Sequence, residues 1–231
     1  MARHALVTGA NRGIGLECVR QLLARGDRVV ATCRHPGKAT ALNTLAGEYP
    51  GRLRVLPLDV AQEKSRAELV RELPLVCERL DLLVNNAGVL HSGERFGQLS
   101  QALLEDSLRV NAIGPLLLTE ALAPVLADGA RVANISSMMS SLSTRSEFRS
   151  PGYCMGKAAQ NMATVQLAHA LRPRGIVVLA LCPGWVQTDM GGPGAQITAT
   201  QSVEGLLRVI DAASIEDSGR FIDWRGEAMA W

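Results

Sequence analysis

The sequence predicts an α/β fold: a single-domain, doubly wound parallel sheet of about seven strands flanked by helices. Three observations carry that expectation. Short apolar runs alternate with longer stretches of helical period along the whole chain, which is the pattern of repeated strand–helix–strand units. The runs are aliphatic. Of the 231 residues 47% are hydrophobic, yet there are only three Phe, two Tyr and three Trp, and continuous Val, Leu, Ile and Ala suits strands covered on both faces. No linker, composition shift or fixed-period repeat divides the chain, so one domain over 1–231 is expected.

The elements follow in order. Strands are expected at 5–8, 28–33, 53–58, 80–84, 131–136, 176–182 and, from a weaker pattern, 219–222. After the first, Ile14, Cys18, Val19, Leu22 and Leu23 recur at spacings of three and four, one face of a helix. A long helical stretch is expected over 99–126 and another over about 152–171. Parallel strands joined by helices require right-handed crossovers. A Ser-rich piece, 136–146, follows the fifth strand, and a Gly-rich loop, 190–200, follows the sixth. Both fall at carboxyl ends of strands, where such sheets bind ligands. The second is expected to be a mobile substrate lid, with a plain connecting loop as the alternative.

Composition excludes several function classes. Twenty-four Lys and Arg against 22 Asp and Glu give a net charge of +2, without a long like-charge run, so neither a polyanion nor a membrane surface is an expected partner. Scarce aromatics disfavour a nucleic-acid stacking platform. Cys18, Cys33, Cys77, Cys154 and Cys182 are scattered and never form a C-x-x-C pair. That fits a reducing cytoplasm rather than a disulfide framework or a metal site. The N-terminus has no secretory h-region, and the longest clean apolar run, 176–182, is far short of the ~20 residues of a membrane span. A soluble cytoplasmic protein is expected.

Thr8-Gly9-Ala10-Asn11-Arg12-Gly13-Ile14-Gly15 follows the first strand and opens the first helix. Glycines there let the chain turn sharply and let a pyrophosphate approach the free N–H groups at the helix start. At the head of a strand–helix–strand unit this points to dinucleotide binding, a bare tight turn being the alternative. The second strand ends Val30-Ala31-Thr32-Cys33-Arg34-His35, with no carboxylate for a ribose 2′-hydroxyl. Arg12 and Arg34 instead offer cations for a 2′-phosphate, so NADP(H) is favoured over NAD; as single residues both also read as solvated surface charges. Asp59 and Val60 close the third strand, where the carboxylate suits an adenine amino group or a helix N-cap. Asn85-Asn86-Ala87-Gly88 closes the fourth, suiting either a close cofactor or a turn.

Tyr153 and Lys157 are four apart, neighbours on one helix face. Free tyrosine has a pKa of about 10, and a nearby cation lowers it, as general acid–base work at a carbonyl requires. Asn134-Ile135-Ser136-Ser137 ends the fifth strand and supplies a serine to hold a carbonyl oxygen. Asn111 is a polar group in an apolar helical pattern, with a satisfied helix amide as the plain alternative.

Thr-Gly-x-x-x-Gly-Ile-Gly (8–15), Asn-Asn-Ala-Gly (85–88), Asn111, Asn-Ile-Ser-Ser (134–137), Tyr-x-x-x-Lys (153–157) and Pro-Gly-Trp-Val-Gln-Thr (183–188) resemble, in order and spacing, the classical short-chain dehydrogenases/reductases. The segments 183–193 and 223–231 are similar to the C-factor/sniffer-like carbonyl reductase branch. The resemblance implies a Rossmann fold, NADP(H) and a tetrad of Asn111, Ser137, Tyr153 and Lys157. Tyr153 would be the proton donor and Ser137, the last serine of its motif, would bond the carbonyl oxygen. Lys157 would lower the phenol pKa and bind ribose hydroxyls, and Asn111 would hold a water. Gly9, Asn11, Arg12, Gly13, Ile14, Gly15, Arg34, Asp59, Val60, Asn86, Ala87 and Gly88 would line the cofactor, as would Pro183, Gly184, Val186 and Thr188 near the carboxamide. Met138, Met139, Leu142 and Trp185 suit an apolar or aromatic carbonyl substrate. Ala158, Ala159, Ala163, Ala168 and Ala170 suit close helix packing, and a homo-oligomer, most simply a dimer, is expected. A non-catalytic NADP-sensing or signalling protein and an alcohol-oxidising dehydrogenase remain the alternatives.

Overall fold

Seven aliphatic runs pair into one sheet in the computed structural model, which describes residues 2–231. The strands are β1 (His4–Val7), β2 (Arg28–Cys33), β3 (Leu53–Pro57), β4 (Leu80–Asn85), β5 (Leu126–Ile135), β6 (Val177–Cys182) and β7 (Phe221–Asp223). Their order is β3-β2-β1-β4-β5-β6-β7, and every pair is parallel. The direction of winding reverses between β1 and β4, so a crevice opens at the carboxyl ends of these strands.

Successive side chains of a strand face opposite layers, and both layers are filled. Val29 and Ala31 of β2 join one aliphatic cluster, with Leu22 and Leu23 of α1 (Gly13–Ala24), Leu42 of α2 (Thr40–Glu48) and Leu206 of α7 (Ala199–Ala212). Val30 joins the other, with Leu69 of α3 (Glu63–Glu72), Leu118 of α5 (Gly114–Leu122) and Leu171 of α6 (Pro151–Leu171). Each fully buried Leu or Val is worth about 1.5–3 kcal/mol, which explains how a chain with so few aromatics fills its core. Among the described residues no helix is long and apolar enough to cross a membrane.

The structure corrects three expectations: the helix over 99–126, the start of the fifth strand and the bounds of the seventh. The stretch 99–126 is not one helix. It runs as α4 (Gln101–Leu108), a π-helical turn (Arg109–Ile113), α5 and a 3₁₀ turn (Ala123–Val125). At the junction a Cβ on Gly114 would lie 2.7 Å from the Val60 carbonyl oxygen, so the extra residue of the turn lets the backbone seat against the loop that follows β3. Leu126 is already strand: it pairs with Leu80, after which the register slips until Leu82 meets Arg131. That irregularity hides the beginning of β5 from a period count. The seventh strand lies at 221–223 rather than 219–222.

α6 starts from Ser150, whose φ of 45° is the one positive value outside glycine among the described residues. Pro151 then supplies a φ already set for a first helical position. Glu94 accepts a hydrogen bond from Gly152 N at 3.2 Å, a carboxylate against the positive end of the helix.

Candidate active site

At the crevice the glycine turn presses on the end of β4. Gly9 and Gly13 have φ of 63° and 55°. A Cβ on Gly9 would stand 2.8 Å from Ala87 Cα, and one on Gly15 would stand 2.5 Å from the Gly9 oxygen and overlap the Asn86 amide. Thr8 Oγ1 accepts from Asn86 N and Ala87 N, each at 3.0 Å, while Asn86 Nδ2 donates to the carbonyls of Thr8 and Gly9. Ile14 and Gly15 lie in the first turn of α1, which carries no side-chain cap, so its N–H groups are open to an anion. A Cβ on Gly13 would stand 3.3 Å from the Thr188 methyl, so the loop after β6 closes the same cradle, and the residues present fit a dinucleotide.

Asn11 is exposed. Arg12 reaches Asp189 at 3.0 Å with both side chains well exposed, a pair worth little in water and easily exchanged for a phosphate. Arg34 is exposed and has no carboxylate partner among the described residues. It lies two residues beyond Thr32, whose carbonyl takes Ala10 N at 2.9 Å, so the turn and the end of β2 are tied together. Asp59 does not cap α3, whose N-cap is Gln62; its Oδ1 instead accepts Ala61 N at 3.0 Å. Val60 is buried beside it. Gly88 packs on Asn111, and a Cβ there would meet Asn111 Oδ1 at 3.1 Å and Lys157 Nζ at 3.6 Å.

Across the crevice, Pro183 O accepts from Ser202 Oγ at 2.7 Å, and Gly184 adopts φ 80° against the Trp224 indole. Val186 bridges to Ile197. Thr188 Oγ1 donates to Val186 O and accepts from Gly191 N, and Trp185 Nε1 donates to Gly191 O at 2.8 Å. The loop expected over 190–200 is thus folded onto its own stem, and its last two residues belong to α7.

The two serines ending β5 divide sharply. Ser136 is buried and donates to Asn161 Oδ1 at 2.6 Å. Ser137 is half-buried; its Oγ accepts from Met139 N at 3.1 Å, and its hydroxyl lies close enough to the Tyr153 phenol to lower that group's pKa. Tyr153 and Lys157, both buried, stand on the same face of α6, with Nζ 5.9 Å from the ring centroid. Nζ donates to Ile135 O at 2.6 Å and Gln160 Oε1 at 3.0 Å. Burial pushes the phenol up to about 12, against the lowering effect of the nearby Ser137 hydroxyl, and pulls Lys157 down to about 7. Desolvation is the largest influence on both side chains, and Lys157 is not among the groups that move the Tyr153 phenol in the free protein.

Asn111 lies in the π-helical turn between α4 and α5 and is buried. Its amide takes Val89 N and gives to Val89 O, both at 2.9 Å. Long-range clamping of the chain after β4 is a role that the local pattern did not reveal. Sequence reasoning also missed the polar brace under the site. Asn85 and Asn134 are cross-strand partners; Asn85 Nδ2 donates to Asn134 Oδ1 at 2.8 Å, and Asn134 Nδ2 to Thr164 Oγ1 at 2.9 Å. Two asparagines ending adjacent apolar strands were the available signal.

Residues 3–197 match the family described as short chain dehydrogenase, and the chain belongs to that family of oxidoreductases. It is 46% identical to the C-signal of Myxococcus xanthus over 154 residues, 66% of this chain and 93% of that protein. It is 34% identical to the 1-hydroxy-2-glutathionyl-2-methyl-3-butene dehydrogenase of Rhodococcus sp. (strain AD45), covering 98% of each. The NADPH-bound carbonyl reductase from chicken fatty liver superposes with a TM-score of 0.94 at 37% identity, covering 100% of this chain and 99% of that one. Carbonyl reductase Sniffer of D. melanogaster gives 0.95 at 29% identity over the whole of both chains.

Proposed function

We propose that the chain is an NADPH-dependent reductase of small carbonyl compounds, with Tyr153 as the proton donor. The observation that carries this is geometric: Tyr153 and Lys157 stand together on α6, Nζ 5.9 Å from the ring centroid, beside Ser137 at the end of β5 and against Gly88 of the cradle. When bound, NADPH supplies the hydride. The cradle Gly9–Gly15, with Arg12 and Arg34 toward the 2′-phosphate, would hold its adenosine and pyrophosphate beside Asp59, Val60, Asn86, Ala87 and Gly88. Pro183, Gly184, Val186 and Thr188 would hold the carboxamide.

Burial keeps the Tyr153 phenol protonated at neutral pH in the free protein, which is the form a proton donor starts from. Tyr153 Oη gives its proton to the carbonyl oxygen, and Ser137 Oγ bonds the same oxygen. Lys157 Nζ, beneath the ring, binds ribose hydroxyls and returns a proton to Tyr153. Gly156 sits tightly on Asn111, and the π turn that Asn111 anchors is the proposed seat of a water linking Lys157 to solvent. Exposed Met138, Leu142 and Trp185 favour an apolar or aromatic carbonyl, with residues from 190 onward as the substrate loop.

Replacing Tyr153 by Phe is expected to abolish reduction of isatin and quinones while leaving NADPH affinity within a few-fold, since only a transition-state interaction is removed; retained turnover overturns the mechanism. The resemblance to the Rhodococcus dehydrogenase favours a second reading, alcohol oxidation. Faster NADP⁺-dependent oxidation than reduction at pH 7 selects it. Exposed Ile113, Met155 and Met162 on the π turn and α6 support a homodimer through that face, and five free cysteines support a cytoplasmic location.

A further inference from the structure

The Ser-rich segment after β5 contains more hydroxyls than proton transfer uses, and those of Ser136, Ser137, Ser140, Ser141 and Ser143 have partners. On its inner side, Asn161 accepts from Ser136 at 2.6 Å and donates to Ser140 Oγ at 2.8 Å; Ser140 Oγ donates to Ser137 O at 2.6 Å. This pins the segment to α6. On its outer side the partner comes from the far end of the sequence. Ser141 Oγ, Ser143 N and Ser143 Oγ lie 3.3, 3.2 and 3.0 Å from the main-chain oxygen of Trp231 and donate to it.

Trp231 is itself held. Its indole stacks on buried Phe221 of β7, centroids 5.5 Å apart and planes 26° from parallel. Met229 N donates to Phe221 O at 2.9 Å, and Ala228 bridges antiparallel to Ile222. The last residues therefore return along β7 and present one oxygen to three donors of the segment that begins at Ser137. Between Ser137 and α6 the only regular structure is the three-residue turn Met138–Ser140. Without outside pins, ordering such a segment is opposed by chain entropy.

We infer that Trp231 is a positioning residue for the proposed reaction: stacked on Phe221, it fixes 141–143 and thereby sets Ser137 Oγ against the Tyr153 phenol. The inference rests on the reading of Ser137 and Tyr153 given above. Trp231 would touch neither the carbonyl nor the cofactor. It acts through Ser137, and that dependence is measurable.

The test is a double-mutant cycle with NADPH and isatin. Trp231→Ala is expected to lower kcat about tenfold, the scale of a misplaced reacting group, with the NADPH dissociation constant unchanged within about twofold. In a Ser137→Ala background the same change is expected to cost nothing further, since one interaction cannot be lost twice. Trp231→Phe keeps a ring on Phe221 and is expected to restore activity. Amide hydrogen exchange at 140–143 should accelerate in Trp231→Ala whether or not isatin is reduced. If Trp231→Ala folds poorly, Ser141→Ala with Ser143→Ala removes two of the three donors and carries the same expectations. An equal loss in the wild-type and Ser137→Ala backgrounds, or unaltered kcat and exchange, overturns the inference. Turnover surviving Tyr153→Phe would instead overturn the reaction reading, and the exchange measurement would still decide whether Trp231 holds the segment.

Discussion

Folding should become more favourable as pH rises from 7 to 9, and Lys157 should be the reason. Its ammonium is buried at 3% exposure with two neutral oxygens as partners, Ile135 O and Gln160 Oε1, and burial brings it from 10.5 to about 7. Between those values the unfolded chain binds a proton that the folded chain does not. Stability therefore rises with pH across the window, and the cost of burying the charge is fully present below about 7. At roughly 1.4 kcal/mol per unit, about 2 kcal/mol should be recovered between pH 7 and 9. Tyr153 works in the opposite sense, but only above pH 10: raised to about 12, it stabilises the fold below 10 and loses that contribution as pH climbs through 12. Urea unfolding of the wild type and Lys157→Met at pH 7, 8 and 9, without cofactor, isolates the effect because other groups cancel in the difference. The wild type should gain on the variant by about 2 kcal/mol. A difference that stays flat within about 0.5 kcal/mol would refute the reasoning and place Nζ in contact with water.

Two further perturbations address the cofactor cradle. Gly15→Ala would put a methyl 2.5 Å from the Gly9 oxygen; a loss of about 1–3 kcal/mol in stability is expected from such overpacking, together with weaker NADPH binding, measured by melting and by fluorescence titration. Arg34→Glu should weaken NADPH by about a hundredfold, as loss of a charge-assisted phosphate contact and gain of repulsion imply, and leave NADH within a few-fold. Equal effects on both coenzymes would remove Arg34 from the 2′-phosphate site.

The strands were legible because a sheet covered on both faces needs runs such as Val177–Cys182, every residue of which is buried. Ser137 and Tyr153 were legible as a pair because a strand end and a helix start at neighbouring crossovers must share the same edge of the sheet. Asn111 was only half legible. Arg-Val-Asn-Ala-Ile has no local mark of a π turn; what makes it one is Gly114 lying against Val60 and an amide reaching 22 residues back to Val89. The start of β5 was hidden for a similar reason, since its first residue pairs out of register with the rest. The resting protonation of Tyr153 and Lys157 depends on how deeply both are buried, which a four-residue spacing does not encode.

The return of 228–231 along β7 also bears on what the margins of the sheet offer to another molecule. A sheet exposes unpaired backbone groups only at its two outermost strands, and such strands invite pairing with another molecule. Here β7 is only three residues long and already has Met229 N on Phe221 O. At the opposite margin β3 carries exposed Arg54 and ends in Pro57, which cannot donate to a neighbour. Both borders are blunted against edge-to-edge growth, and the chain is guarded against running its sheet on into a fibre.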